Sequence, residues 1–163
     1  MNITVINTGG TFNKRYNPIK GKLEVPTDNI ALDEIINSCF NIDFEIKNII
    51  SKDSLEIDND DRDMMIKAID ESENEKIIIV HGTDTIDITA QYLQDKGVNK
   101  QVVLTGAMVP MSIKKVEATM NFSQAIGFLN AEIKNGVYIS MHGSVVNHTN
   151  IKKDRQKGKF LVN

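Results

Sequence analysis

Apolar residues in this chain fall in short solid runs separated by stretches of helical period, and that alternation sets the expected fold. Ile3-Thr4-Val5-Ile6, Lys76-Ile77-Ile78-Ile79-Val80 and Gln101-Val102-Val103-Leu104-Thr105 are short, β-branched and nearly continuous. Strands buried on both faces of a parallel sheet have this composition. Phe44–Ile50 and Gly136–Met141 read as further strands, and Phe160–Val162 as a candidate last one. Between them, Asp28–Phe40 places Leu32, Ile35, Ile36 and Cys39 on one helical face, so Cys39 is expected in the core rather than as a reactive thiol. Asn59–Ser72 turns Met65, Ala68 and Ile69 inward, Thr85–Gln94 does so with Ile86, Thr89, Ala90 and Leu93, and Val116–Asn130 with Ala118, Phe122, Ala125, Ile126 and Leu129. This order predicts an α/β fold. The expected architecture is a doubly wound, mostly parallel sheet with helices on both faces, forming a single domain over 1–163. Two connections are long: the polar, basic stretch Phe12–Pro26, with room for a small hairpin, and Gly106–Lys115.

Composition narrows the function classes. A hydrophobic share of 40% and a charged share of 25% are ordinary for a globular domain of this length. The formal net charge of −3 argues against general binding of nucleic acid or acidic membranes. No apolar run is long enough to cross a bilayer, the first residues lack a basic-then-apolar signal pattern, and the single cysteine has no internal disulfide partner. The expected compartment is therefore cytoplasmic. Asp58, Asp60 and Asp61 sit where a helix begins and match no calcium-loop spacing, so they read as capping groups, and no metal site is expected.

The candidate chemistry lies at two strand ends. Thr8-Gly9-Gly10-Thr11 follows the first strand, and His81-Gly82-Thr83-Asp84-Thr85 follows a middle one. Glycines there allow a sharp turn and a close approach to the main chain, and ligands of open α/β sheets bind at such carboxyl ends. Threonine is a weak nucleophile until a neighbour takes its proton, and Asp84 or a desolvated lysine are the available bases. Thr83, Asp84 and Thr85 could equally serve as a helix cap.

With Leu104-Thr105-Gly106-Ala107-Met108 after the next strand, these motifs resemble the bacterial-type L-asparaginases, and the resemblance runs from residue 2 to the end of the chain. It implies a threonine amidohydrolase that releases ammonia from the side-chain amide of asparagine without metal or cofactor. Position by position it implies Thr11 as nucleophile, Tyr16 as a lid tyrosine that helps activate it, and Ser54 as the group that binds the substrate α-carboxylate. Thr83 matches the second catalytic threonine, Asp84 the carboxylate that grips the α-amino group, and Lys153 the lysine of the relay, with Lys152 as fallback. Gly10, Gly82 and Ala107 would line the substrate, and the rest of the basic run Lys152–Lys159 would be a solvated connector. Homodimers or higher homo-oligomers are implied as well. By the resemblance, the family's second, smaller C-terminal domain is expected to be absent, the sequence stopping where the linker to it would begin. His142-Gly143 stands in place of asparagine and a small residue, and Glu117 in place of aspartate. A module that holds a small amino acid or acidic metabolite without turnover is the competing expectation. Kinship to the amidotransferase subunit acting on misacylated tRNA is a third, which the acidic charge opposes.

Overall fold

Alternate side chains of the central strands serve opposite layers, and this period of two organises the molecule. A computed structural model describes residues 1–163. In chain order, β1 (Asn2–Gly9) runs into a one-turn helix α1 (Gly10–Asn13), a ribbon of β2 (Arg15–Asn17) and β3 (Lys22–Glu24), and α2 (Ile30–Ile36). There follow β4 (Asp43–Lys52), α3 (Asn59–Asp70), β5 (Lys76–Val80), α4 (Ile86–Asp95), β6 (Gln101–Thr105), α5 (Lys115–Leu129) and β7 (Gly136–Met141). The chain finishes with β8 (Ser144–Asn147), β9 (Ile151–Asp154) and β10 (Lys159–Val162).

The main sheet has the order β4-β1-β5-β6-β7-β8, parallel except for β8. On one face Ile77 and Ile79 meet Met65 and Ile69 of α3 and Ile86 and Leu93 of α4. On the other Ile78 and Val80 meet Leu32 of α2 and Phe122 of α5. Helices thus cover both faces, as the strand composition requires. The mostly parallel sheet with helices on both faces agrees with the sequence-based expectation, whereas its edge strand β8 lies outside that expectation and Phe160–Val162 pairs with β9 outside the main sheet.

Topology places the site. From β1 the chain crosses to β4 on one side, then returns to β5 on the other. The order reverses between β1 and β5, and ligands of open α/β sheets bind at the carboxyl ends of the two strands flanking such a reversal. Those ends carry Gly9-Gly10 and His81-Gly82.

Several local expectations need correction. Helix α2 stops at Ile36, short of the expected end at Phe40, and the chain turns at Asn37 and Ser38. Cys39 therefore lies outside the helix, half-buried rather than in the core, with its Sγ 3.6 Å from the Ile35 carbonyl. Burial raises its thiol pKa above the usual range, which keeps it protonated. The Phe12–Pro26 stretch does contain the small hairpin it had room for, the β2–β3 ribbon, but Phe12 itself is fully buried against Phe122 rather than part of a polar loop. In the run Lys152–Lys159 all lysines but Lys153 are exposed, as expected, but the run is ordered into an antiparallel ribbon, β9 paired with β10, rather than a plain connector. The acidic group before α3 does cap it: Asp58 accepts from the Asp61 amide at 3.0 Å and Asp61 returns the bond at 3.1 Å.

Candidate active site

The first turn is built from buried amides and glycines. Asn13 donates to the Asn7 side chain at 2.9 Å and to the Gly9 carbonyl at 2.7 Å, which pins the chain as it leaves β1. The Thr8 hydroxyl points inward and donates to the Val80 carbonyl at 2.7 Å, stapling β1 to β5. Thr8 is thus a structural group, worth about 1 kcal/mol as a buried bond. Thr11, in α1, is half-buried, and its hydroxyl has no hydrogen-bond partner within the protein. Lys14 pairs with Asp53 at 2.6 Å, tying this turn to the segment that carries Ser54. That ammonium holds the Asp53 carboxyl below the usual carboxylate range.

The second turn lies directly on the first. A methyl group placed on Gly10 would stand 2.5 Å from Gly82 N and Cα, and one on Gly82 would stand 2.5 Å from Ser54 Cβ. Only bare backbone allows this stacking. Thr11 and Thr83, each one residue from that contact, are thereby brought to the same end of the sheet. Ser54 is buried, and its hydroxyl oxygen accepts from the Asp84 amide at 3.3 Å. Ala107 is fully buried in the apolar core with Val80 and Phe122.

Lys153 is the group that joins the pieces. Its Nζ lies 2.9 Å from Thr83 Oγ1 and 2.7 Å from Asp84 Oδ1, with the lysine side chain only 12% exposed. Asp84 Oδ2 makes no bond within the protein, whereas Arg155 donates to the Asp84 carbonyl at 2.7 Å. Thr83 in turn donates to the Met108 sulfur at 3.3 Å. Lys152, the fallback, is exposed and makes no hydrogen bond to Thr83 or Asp84, although it borders the groove beside Lys153 as well as the one along α4. Tyr16 stands on the β2–β3 ribbon, 64% exposed, with no partner for its hydroxyl. The largest groove, about 520 Å³, runs between α4 and the last ribbon, away from Thr11. The strand ends instead carry Thr11, Thr83, Asp84 and Lys153, the last three in mutual contact, and are flanked by grooves of about 430 Å³ beside Lys14 and about 440 Å³ beside Lys153.

Both ring nitrogens of His81 are committed to hydrogen bonds within the core. The residue is fully buried, and desolvation lowers its pKa from 6.5 to about 4. Its Nδ1–H donates to the Gly82 carbonyl at 2.8 Å, and its Nε2 accepts from Thr89, whose oxygen accepts from Arg62. The imidazole thus fixes the orientation of the Gly82 peptide. Because the folded-state pKa lies below the unfolded one, this histidine's contribution is whole above pH 6.5 and drains as pH falls towards 4. The expected loss is roughly 3 kcal/mol. Urea titrations at pH 7 and 4.5 should show it, and the acid loss should be smaller in His81→Gln; an equal loss in both proteins would refute the assignment.

Known proteins share this sequence pattern and this fold. The family model for the asparaginase N-terminal domain matches residues 2–158. An L-asparaginase of Thermococcus kodakarensis is 28% identical over 162 residues, covering 97% of this chain and 49% of that protein. A component of the glutamyl-tRNA(Gln) amidotransferase of Methanococcus maripaludis is 33% identical over 152 residues, covering 87% of this chain and 35% of that protein. The solved structure of the thermostable Thermococcus kodakarensis L-asparaginase superimposes with a TM-score of 0.86 at 25% identity, over 99% of this chain and 51% of that one. The chain thus spans about half the length of that relative. With its sheet order, its paired glycine turns and the matched span in agreement, this chain belongs to the asparaginase family.

Proposed function

We propose that the chain hydrolyses the side-chain amide of L-asparagine to L-aspartate and ammonia, with Thr11 as nucleophile. The observation that carries this reading is the contact of Lys153 Nζ with both Thr83 Oγ1 and Asp84 Oδ1, at the strand end where Gly10 rests on Gly82. In the proposed sequence the Thr11 oxygen attacks the amide carbon and its proton passes to the Thr83–Lys153 pair. Backbone N–H groups of the glycine turns stabilise the negative oxygen of the tetrahedral intermediate. The proton returns to the leaving nitrogen as ammonia departs, and water then cleaves the ester on Thr11. The free Asp84 Oδ2 suits the substrate ammonium, and the Ser54 hydroxyl hydrogen suits its α-carboxylate. Tyr16 would join only with the β2–β3 ribbon folded over Thr11, so its role belongs to a closed position of that ribbon.

Ammonia release from L-asparagine by the purified protein tests the proposal, with L-glutamine assayed in parallel. Release from neither amide, or release that survives loss of the Thr11 hydroxyl, would overturn it. We also propose a homodimer in the cytoplasm; light scattering that gives a monomeric mass at assay concentration would remove the dimer.

A further inference from the structure

Glu117 and His142 touch each other. His142 Nε2 lies 2.9 Å from Glu117 Oε1, with both side chains mostly buried. Each reaches further. Glu117 also accepts from the amides of Met108 at 2.9 Å and Val109 at 3.1 Å, so its carboxylate holds the loop after β6. His142 Nδ1 accepts from the Phe160 amide at 3.1 Å, and the two rings meet edge-on at 5.7 Å. A nitrogen facing an N–H must present its lone pair, so the ring proton sits on Nε2 and is donated to Glu117. Every polar atom of the pair is thereby committed.

The far ends of this connection are the relay itself. Phe160 is the cross-strand partner of Lys153 in the β9–β10 ribbon. Met108 is the residue whose sulfur accepts the Thr83 hydroxyl. A closed circuit therefore runs Lys153, Phe160, His142, Glu117, Met108, Thr83 and back to Lys153. His142 is also the only non-glycine residue with positive φ, at 51°, and its backbone N–H is anchored to the Asn121 side chain at 2.9 Å. A side chain held in that sparsely populated region needs support from its surroundings, and such outliers gather where geometry must be held. Apolar burial of Ile151 and Phe160 already attaches the ribbon to the body. What apolar contact lacks is direction, which hydrogen bonds supply.

We propose that His142 and Glu117 are positioning residues that hold Lys153 at bonding distance from Thr83, by tying the strand beside the lysine to the loop beside the threonine; the inference rests on the relay reading above. Neither residue touches the reacting atoms. The pair sets where the lysine stands, and through it how readily a proton passes.

The test compares His142→Ala with His142→Asn, each read by acetic anhydride labelling of Lys153 relative to Lys159 and by steady-state kinetics. Asparagine tolerates positive φ and keeps an acceptor for the Phe160 amide. For His142→Ala we expect Lys153 labelling to rise about tenfold and kcat to fall about tenfold while KM moves less than about threefold, the pattern of a lost transition-state interaction. For His142→Asn both readouts should stay within about threefold of wild type. Glu117→Gln, which cannot accept from the Val109 amide, should shift both in the direction of His142→Ala, and it serves if the alanine variant does not fold. Unchanged Lys153 labelling in His142→Ala, or in Glu117→Gln where that variant stands in, or asparagine behaving as alanine does, overturns the proposal. Should the wild-type protein release no ammonia, the proposed activity fails, while the labelling still decides whether the pair holds the lysine.

Discussion

Thr11→Val should lower the rate of ammonia release by at least about 10³-fold and leave the fold standing, because the substitution removes the oxygen proposed to attack and little else. The Thr11 hydroxyl has no partner within the protein, so deleting it leaves no buried group unsatisfied. Valine keeps the β-branched shape, and the change in unfolding free energy should stay within about 1 kcal/mol. Thr83→Val makes the informative contrast. It removes the acceptor that Lys153 reaches at 2.9 Å, so turnover should fall about 10²- to 10³-fold and the lysine should keep only its contact with Asp84. The pair of variants separates two mechanisms. A protein that loses turnover with Thr83→Val but keeps it with Thr11→Val attacks through residue 83 or through water, and the assignment of the nucleophile is then wrong. Paired measurements of kcat and of urea midpoints distinguish this outcome from simple unfolding.

The parts of this molecule that could be read in advance are those whose physics is local. Lys76–Val80 and Gln101–Thr105 had to be interior strands, since runs so apolar have nowhere else to go, and the glycines after them marked the turns. The parts that escaped depend on partners far along the chain. Strand β9 carries two lysines and an aspartate in four residues, which reads as a solvated segment, yet Lys153 turns inward because Thr83 and Asp84 wait there, 70 and 69 residues earlier. Residue types alone never separated Lys153 from Lys152; the family resemblance favoured it, and the contact made is with Lys153. Thr8 and Thr11 looked equivalent beside the glycines, but the strand's alternation sends the Thr8 hydroxyl to the Val80 carbonyl. The amides Asn7 and Asn13, which pin the same turn, gave no signal because polar residues after a strand are commonplace. Glu117 and His142 each looked like an isolated departure. Their meaning is joint, and only the fold puts them 2.9 Å apart.

Gly10→Ala should cost more than about 3 kcal/mol of stability and abolish turnover together, because two separate penalties fall on one position. The backbone at Gly10 has φ of +71°, which an alanine adopts at a cost of about 1 kcal/mol. Its new methyl would also lie 2.5 Å from Gly82 N and Cα and 3.0 Å from the His81 carbonyl carbon. Those atoms are backbone held in the β5 turn, and the imidazole of His81 bonds the Gly82 carbonyl behind them, so they have no room to retreat. Relief must come from parting the ends of β1 and β5, which moves Thr11 away from Thr83. Gly97→Ala isolates the first penalty: φ there is +76°, but nothing stands within 4 Å of the added methyl, so only about 1 kcal/mol should be lost and turnover should be retained. The difference between the two variants in urea denaturation therefore measures the close approach of the two turns. If both lose the same amount, steric contact between Gly10 and Gly82 contributes nothing, and the convergence of the two threonine-bearing turns would need another cause.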